Sequence, residues 1–149
     1  MASTPRHPEV LLIGAVAALG WAGSALLASH MSGWASLAQA YRLTGEFPAQ
    51  RWSFQSAAMR WYANYGSCLT VGADSAGLYV SVFAIFRIFH PPLFVPWSEI
   101  SVRRGRILWS RVVEFRLGRE LAIPFRVCEK LATRLRASAG GSWPLEINA

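Results

Sequence analysis

Acidic residues are scarce in this chain: 8 Asp and Glu stand against 15 Lys and Arg in 149 residues, a formal charge of +7. That shortage argues against triad and metal chemistry, since a triad needs an orienting acid and a metal needs clustered His, Cys, Asp or Glu. The one Asp, Asp74, sits in a turn sequence, and His7 and His30 flank an apolar run. His90 is left as the candidate base, and Pro91-Pro92 after it marks a turn whose imidazole bonds the backbone. No ligand-type residues have the spacing of a helical or hairpin metal site, so neither metal nor cofactor is expected. Cysteine is scarce too. Cys68 and Cys128 are 60 residues apart, which fits neither a zinc ribbon nor a C-x-x-C redox pair and leaves one bridge or two buried thiols open. G-x-G-x-x-G and Walker sequences are absent, so no phosphate loop is expected. Apolar and aromatic side chains are abundant, 53% and 13% with seven Trp, which excludes a disordered basic tail and suffices for one modest core.

Residues 10–28 read VLLIGAVAALGWAGSALLA, 19 residues without a charge. As a helix they extend about 28 Å, the thickness of a bilayer core. Residues 1–9 form a short tail ahead of this span, carrying Arg6 and Glu9. Gly14, Ala18 and Ala22 recur every four residues and fit either a helix-packing stripe in the membrane or a weakly hydrophobic span. The competing reading is a cleaved signal with Ala38-Gln39-Ala40 as its A-x-A site, but that site lies twelve residues past the run and the run is too long. A retained single-pass anchor is expected. Flanking charge, Arg6 before the span and Arg42 as the first basic residue after it, leans slightly towards a translocated C-terminal part.

Residues 29–50 carry Trp34, Leu37, Ala38 and Tyr41 at i, i+3, i+4 and i+7, a short amphipathic helix that packs on the following domain or places Trp34 at headgroup level. From Arg51 the texture turns to short β-branched and aromatic runs, predicting strands at 52–60, 68–72, 78–83, 93–102, 107–117 and 120–125. The turns are placed at Asn64-Tyr65-Gly66, residues 74–77, His90-Pro91-Pro92, Arg104-Gly105 and Gly118-Arg119. Val127, Cys128, Leu131, Ala132 and Leu135 make one apolar helical stripe ended by Gly140-Gly141, and residues 138–149 read as a loose tail.

Antiparallel strands closed by one C-terminal helix predict an α+β chain with a β-barrel or sandwich over 51–137. This is the plan of a pleckstrin-homology-like (PH-like) domain. The order Gly33-Trp34, Met59-Arg60-Trp61, Gly77-Leu78-Tyr79 and the HPPLFVPWSEI segment from His90 to Ile100 resembles a family of uncharacterised bacterial proteins, many with PH-like folds, over residues 33–137. The resemblance implies the fold and a cytosolic domain at the bacterial inner membrane. It carries no catalytic residue, so an enzyme is not expected.

Two stretches bear on partners. Arg103, Arg104, Arg106 and Arg111, within a stretch of seven arginines over residues 87–119, suit anionic lipid headgroups or are a solvated hairpin. Nucleic acid is not expected without an RNA-binding aromatic signature. Residues 82–89, VFAIFRIF, are too short to span a membrane. They are either a long buried strand or a loop in which Phe83, Ile85, Phe86, Ile88 and Phe89 meet lipid or a partner while Arg87 snorkels. Two functions fit: a lipid- or protein-binding adaptor at the membrane surface, or an accessory subunit of an integral membrane complex. No small-molecule substrate is evident.

Overall fold

The computed structural model describes residues 8–48, 50–60 and 63–147. Arg6, most of the tail 1–9 and Trp61 lie outside them.

Helix α1, Pro8–Ser32, has 25 residues and mean hydropathy 2.1 over its apolar window, of which only 6% is buried. It is long and apolar enough to cross a membrane. It outruns the expected 10–28 because Ser29 and Ser32 continue it with satisfied side chains: Ser29 Oγ donates to the Phe89 carbonyl at 2.7 Å and Ser32 Oγ to the Ser29 carbonyl at 3.2 Å. Gly33 then breaks the helix in the left-handed region, φ 84°, where a side chain is strained; a Cβ there would also stand 2.7 Å from the Ile123 side chain. Helix α2, Trp34–Tyr41, follows directly. Trp34 and Leu37 are fully buried, so α2 packs on the domain that follows.

Among the described residues eight strands form one sheet: β1 Arg51–Met59, β2 Ala63–Ala73, β3 Gly77–Val82, β4 Leu93–Pro96, β5 Ile100–Ile107, β6 Ser110–Leu117, β7 Ile123–Cys128 and β8 Glu146–Ile147. Their order is β4-β3-β2-β1-β7-β6-β5-β8. The sheet curls into a half-barrel. Strand β1 is the hinge of the curl, pairing with β2 along its length while Ala58 and Met59 also pair with β7. Register shifts around Gln55, with Phe54 and Ser67 at positive φ, mark the bulges that bend it. Phe115, Phe125, Leu78, Leu93 and Met59 fill the concave side. Helix α2 covers one end, beside Tyr65, Glu99 and Ile123. Helix α3, Glu129–Ala139, follows β7 at the other and buries Leu131, Ala132 and Leu135, the expected stripe. Trp97 and Ile100 are buried as expected.

Several boundaries move. The single strand expected at 93–102 is two, split by a 3₁₀ turn at Trp97–Glu99 that lets Trp97 Nε1 donate to the Asp74 carbonyl at 2.8 Å. Arg104-Gly105 and Asn64-Tyr65-Gly66 lie inside β5 and β2 rather than in turns. The β5–β6 hairpin turns instead at Leu108-Trp109, with Leu108 at φ 53°. The strand expected at 120–125 begins at Ile123, after a turn over 118–122, and runs to Cys128, so Val127 belongs to a strand and α3 starts at Glu129. The described part of the 138–149 tail, through residue 147, is not loose: Trp143 packs on Trp97 and Phe115, and β8 pairs in parallel with Val102 and Arg103. Cys68 and Cys128 are both free thiols.

Candidate functional site

The joint between α1 and the curled sheet gathers most of the unusual chemistry. One helical stripe of small residues, Ala25, Ser29 and Ser32, is buried against the domain. It is distinct from the Gly14, Ala18 and Ala22 stripe, of which Gly14 and Ala18 are exposed and Ala22 is half-buried. At the joint Tyr65 donates to Ser32 Oγ at 2.9 Å and stands 3.1 Å from His90 Nε2. Because the Tyr65 proton goes to Ser32, His90 carries its own on Nε2 and donates back to the phenol oxygen. Trp34 stacks its ring edge on His90 and donates Nε1 to the Pro91 carbonyl at 2.9 Å. Burial pushes the His90 pKa down; the Phe86 carbonyl favours the charged ring without closing a hydrogen bond on Nδ1. His90 is thus a buried neutral structural group, tied by its ring to Tyr65 rather than to the backbone.

Beside this network a cavity of about 320 Å³ opens between α1 and the sheet, lined by Trp21, Ala25, Tyr65, Cys68, Val82 and Phe86, among others. Burial pushes the Cys68 thiol up, the reverse of what an attacking thiolate needs. Asp74 is spent on its turn, accepting from the backbone N–H of Ala76 and Gly77 at 2.8 and 3.1 Å and from the Tyr79 hydroxyl at 2.9 Å.

The loop after β3 overturns the long-strand reading. Strand β3 stops at Val82, Ala84–Phe86 form a 3₁₀ turn, and Phe83, Ile85 and Ile88 stand 50%, 61% and 69% exposed. Phe86 is also exposed, and Phe89 is half-buried. The Arg87 guanidinium turns back to the Val82 carbonyl at 3.4 Å. Two residues that sequence reasoning missed complete this surface. Phe54, thrown outward by the β1 bulge, meets Phe83 with ring centroids 5.8 Å apart, and Trp21 of α1 meets Phe86 at 6.1 Å. The bulge had no sequence signal; Trp21 was legible as an aromatic inside the apolar run.

The arginines divide differently from the expected cluster. Arg104 is held by Glu146 at 2.7 Å and by Glu129 at 3.6 Å, and Arg111 lies 3.8 Å from Glu129, the first residue of α3. The Arg104 bond holds the Glu146 carboxyl below the usual range. Arg103 and Arg106 have no carboxylate partner among the described residues. The hairpin that carries all four points past the start of α3, away from the 83–89 loop, and ends in Leu108 and Trp109, 80% and 89% exposed. No group of three or more His, Cys, Asp and Glu suited to a metal is found among the described residues. No protein-family model, curated protein or solved structure matches the chain.

Proposed function

We propose that this chain is a membrane-anchored, non-catalytic PH-like adaptor of the bacterial inner membrane, its domain cytosolic and its 83–89 loop set in the bilayer interface. The observation that carries the reading is one continuous apolar surface: the uncovered face of α1, joined through Trp21 and Phe86 to Phe83, Ile85, Ile88 and Phe54. Each such side chain left in water forgoes about 1.5–3 kcal/mol of burial, and lipid supplies that burial without a further protein. Trp21 precedes Ala28 by seven residues, about 10 Å along the helix axis, so a spanning α1 carries the Phe86 turn below the headgroups.

Other features support the parts of the reading. The antiparallel strand order β4-β3-β2-β1-β7-β6-β5, with α3 after β7, supports the PH-like part of the reading. Cleavage at Ala38-Gln39-Ala40 would remove Trp34 and Leu37, two of the largest buried side chains, which favours a retained helix. Two free thiols suit a reducing compartment. The second reading, an accessory subunit of a membrane complex, draws on the uncovered Gly14 and Ala18 face of α1 and predicts stoichiometric co-purification in mild detergent. Carbonate-washed membranes should keep the protein, with α1 present in its intact mass. Release by the wash, or a mature chain beginning after Ala40, contradicts the anchor.

A further inference from the structure

We infer that the cavity between α1 and the sheet holds one hydrocarbon chain of a bilayer lipid, with the lipid's headgroup left outside the mouth. At about 320 Å³ it is far larger than the water-sized voids of an ordinary core and falls within the range of ligand pockets, about 300–1,000 Å³. One wall is a single face of α1, Trp21, Ser24, Ala25 and Ala28 at i, i+3, i+4 and i+7, where three small side chains keep the helix surface low beside the Trp21 ring. The other wall is built by Tyr65 and Cys68 of β2, Val82 at the end of β3, and Phe86 and His90 of the loop that follows. Ser29 fixes that loop to the helix, because its bond to the Phe89 carbonyl falls between Phe86 and His90.

The chemistry of the lining selects the occupant. No Asp, Glu, Lys or Arg lines the cavity, so a carboxylate or phosphate would enter it without a partner, which is strongly disfavoured. The hydroxyls on the walls are engaged: Ser24 Oγ donates to the Trp21 carbonyl at 2.8 Å and Tyr65 to Ser32 at 2.9 Å, with His90 Nε2 turned to the Tyr65 oxygen at 3.1 Å. Among the described residues His90 Nδ1 is the buried side-chain polar atom without a partner, and one acceptor is too few to hold a water, which needs about two to four. Hydrocarbon needs no polar partner and supplies the dispersion contacts that such walls otherwise lack. Ser24, Ala28 and Phe86 are exposed members of the lining and mark the mouth. Trp21 and Phe86, whose rings stand 6.1 Å apart, belong both to the lining and to the apolar surface that the proposed function sets in the bilayer, so a chain enters without crossing water. The source of the chain rests on that reading; the apolar character of the cavity does not.

The test takes the full chain from membranes into maltoside micelles, exchanges it with palmitoyl-oleoyl phosphatidylcholine or phosphatidylglycerol, and counts retained lipid by native mass spectrometry. The wild type should keep one lipid per chain of either kind, because the headgroup lies outside. Two variants close the cavity from opposite walls: Cys68→Phe fills it, and Ala28→Trp, at an exposed position, blocks the mouth. Both should lose the bound lipid, and lipid added to delipidated micelles should raise the Tm of the wild type but of neither variant. Should Cys68→Phe fail to fold, Ala28→Trp decides alone. A wild type without retained lipid, equal retention in Ala28→Trp, or retention of phosphatidylglycerol only overturns the inference. The carbonate wash reads the anchor separately: a protein kept by the membrane but carrying no lipid in micelles overturns the cavity alone, whereas one released by the wash yet binding one lipid in micelles supports the cavity while the anchor fails.

Discussion

The two ends of the curled sheet both show exposed apolar side chains, yet they are built for different surroundings. At the α2 end the 83–89 loop lays Phe86 against Trp21, and the loop is tied down by Ser29 and by the Trp34, Tyr65 and His90 network. At the α3 end the β5–β6 hairpin exposes Leu108 and Trp109 still more fully, but its neighbours are arginines, two of them paired with Glu129. Exposure alone therefore does not mark a membrane surface. What distinguishes the first end is that its apolar side chains continue the apolar surface of α1, whereas the hairpin tip stands alone in a charged setting.

The largest expected effect contrasts the Trp residues of the two ends. Trp34→Ala removes a fully buried ring and should cost about 3–5 kcal/mol, visible as a strongly lowered Tm in detergent. Trp109→Ala, at the exposed tip, should stay within about 0.5 kcal/mol of wild type. Similar losses for both would erase the contrast between a packed joint and a free tip.

A smaller effect is expected from pH. Burial holds His90 neutral with its pKa below the ordinary 6.5, so the unfolded chain takes up the proton first as pH falls. Stability contributed by the neutral ring is complete above about pH 6.5 and declines below it until the folded ring protonates as well. Melting curves between neutral and mildly acidic pH should fall more steeply for wild type than for His90→Gln, with His30 common to both. Parallel curves would remove His90 from the joint's energetics.

Much of this was legible in the sequence, and the failures have local causes. The uncharged run, the Trp34 and Leu37 spacing and the Leu131 and Leu135 stripe are period and composition signals, and each survives in the fold. The hairpin turn was misplaced because Gly105 is the conventional turn former, while Leu108 takes the positive φ that normally favours glycine. The partners of Arg104 and Arg111 were hidden because Glu129 and Glu146 are distant in sequence and arrive only through α3 and β8. Phe54 was invisible for the same kind of reason: alternation assigns a strand residue to a face, and a bulge reverses the assignment.

The central claim is that the loop end, and not the hairpin end, lies in the bilayer beside α1. It is tested most directly by spin labels at Ile88→Cys and Leu108→Cys in a Cys68→Ala/Cys128→Ser background of the full chain in lipid nanodiscs. Collision with oxygen, which concentrates in lipid, and with a water-soluble nickel chelate reports each label's surroundings. The account predicts that the Ile88 label is oxygen-accessible and shielded from nickel, while the Leu108 label shows the reverse. An Ile88 label as open to nickel as the Leu108 label would contradict it.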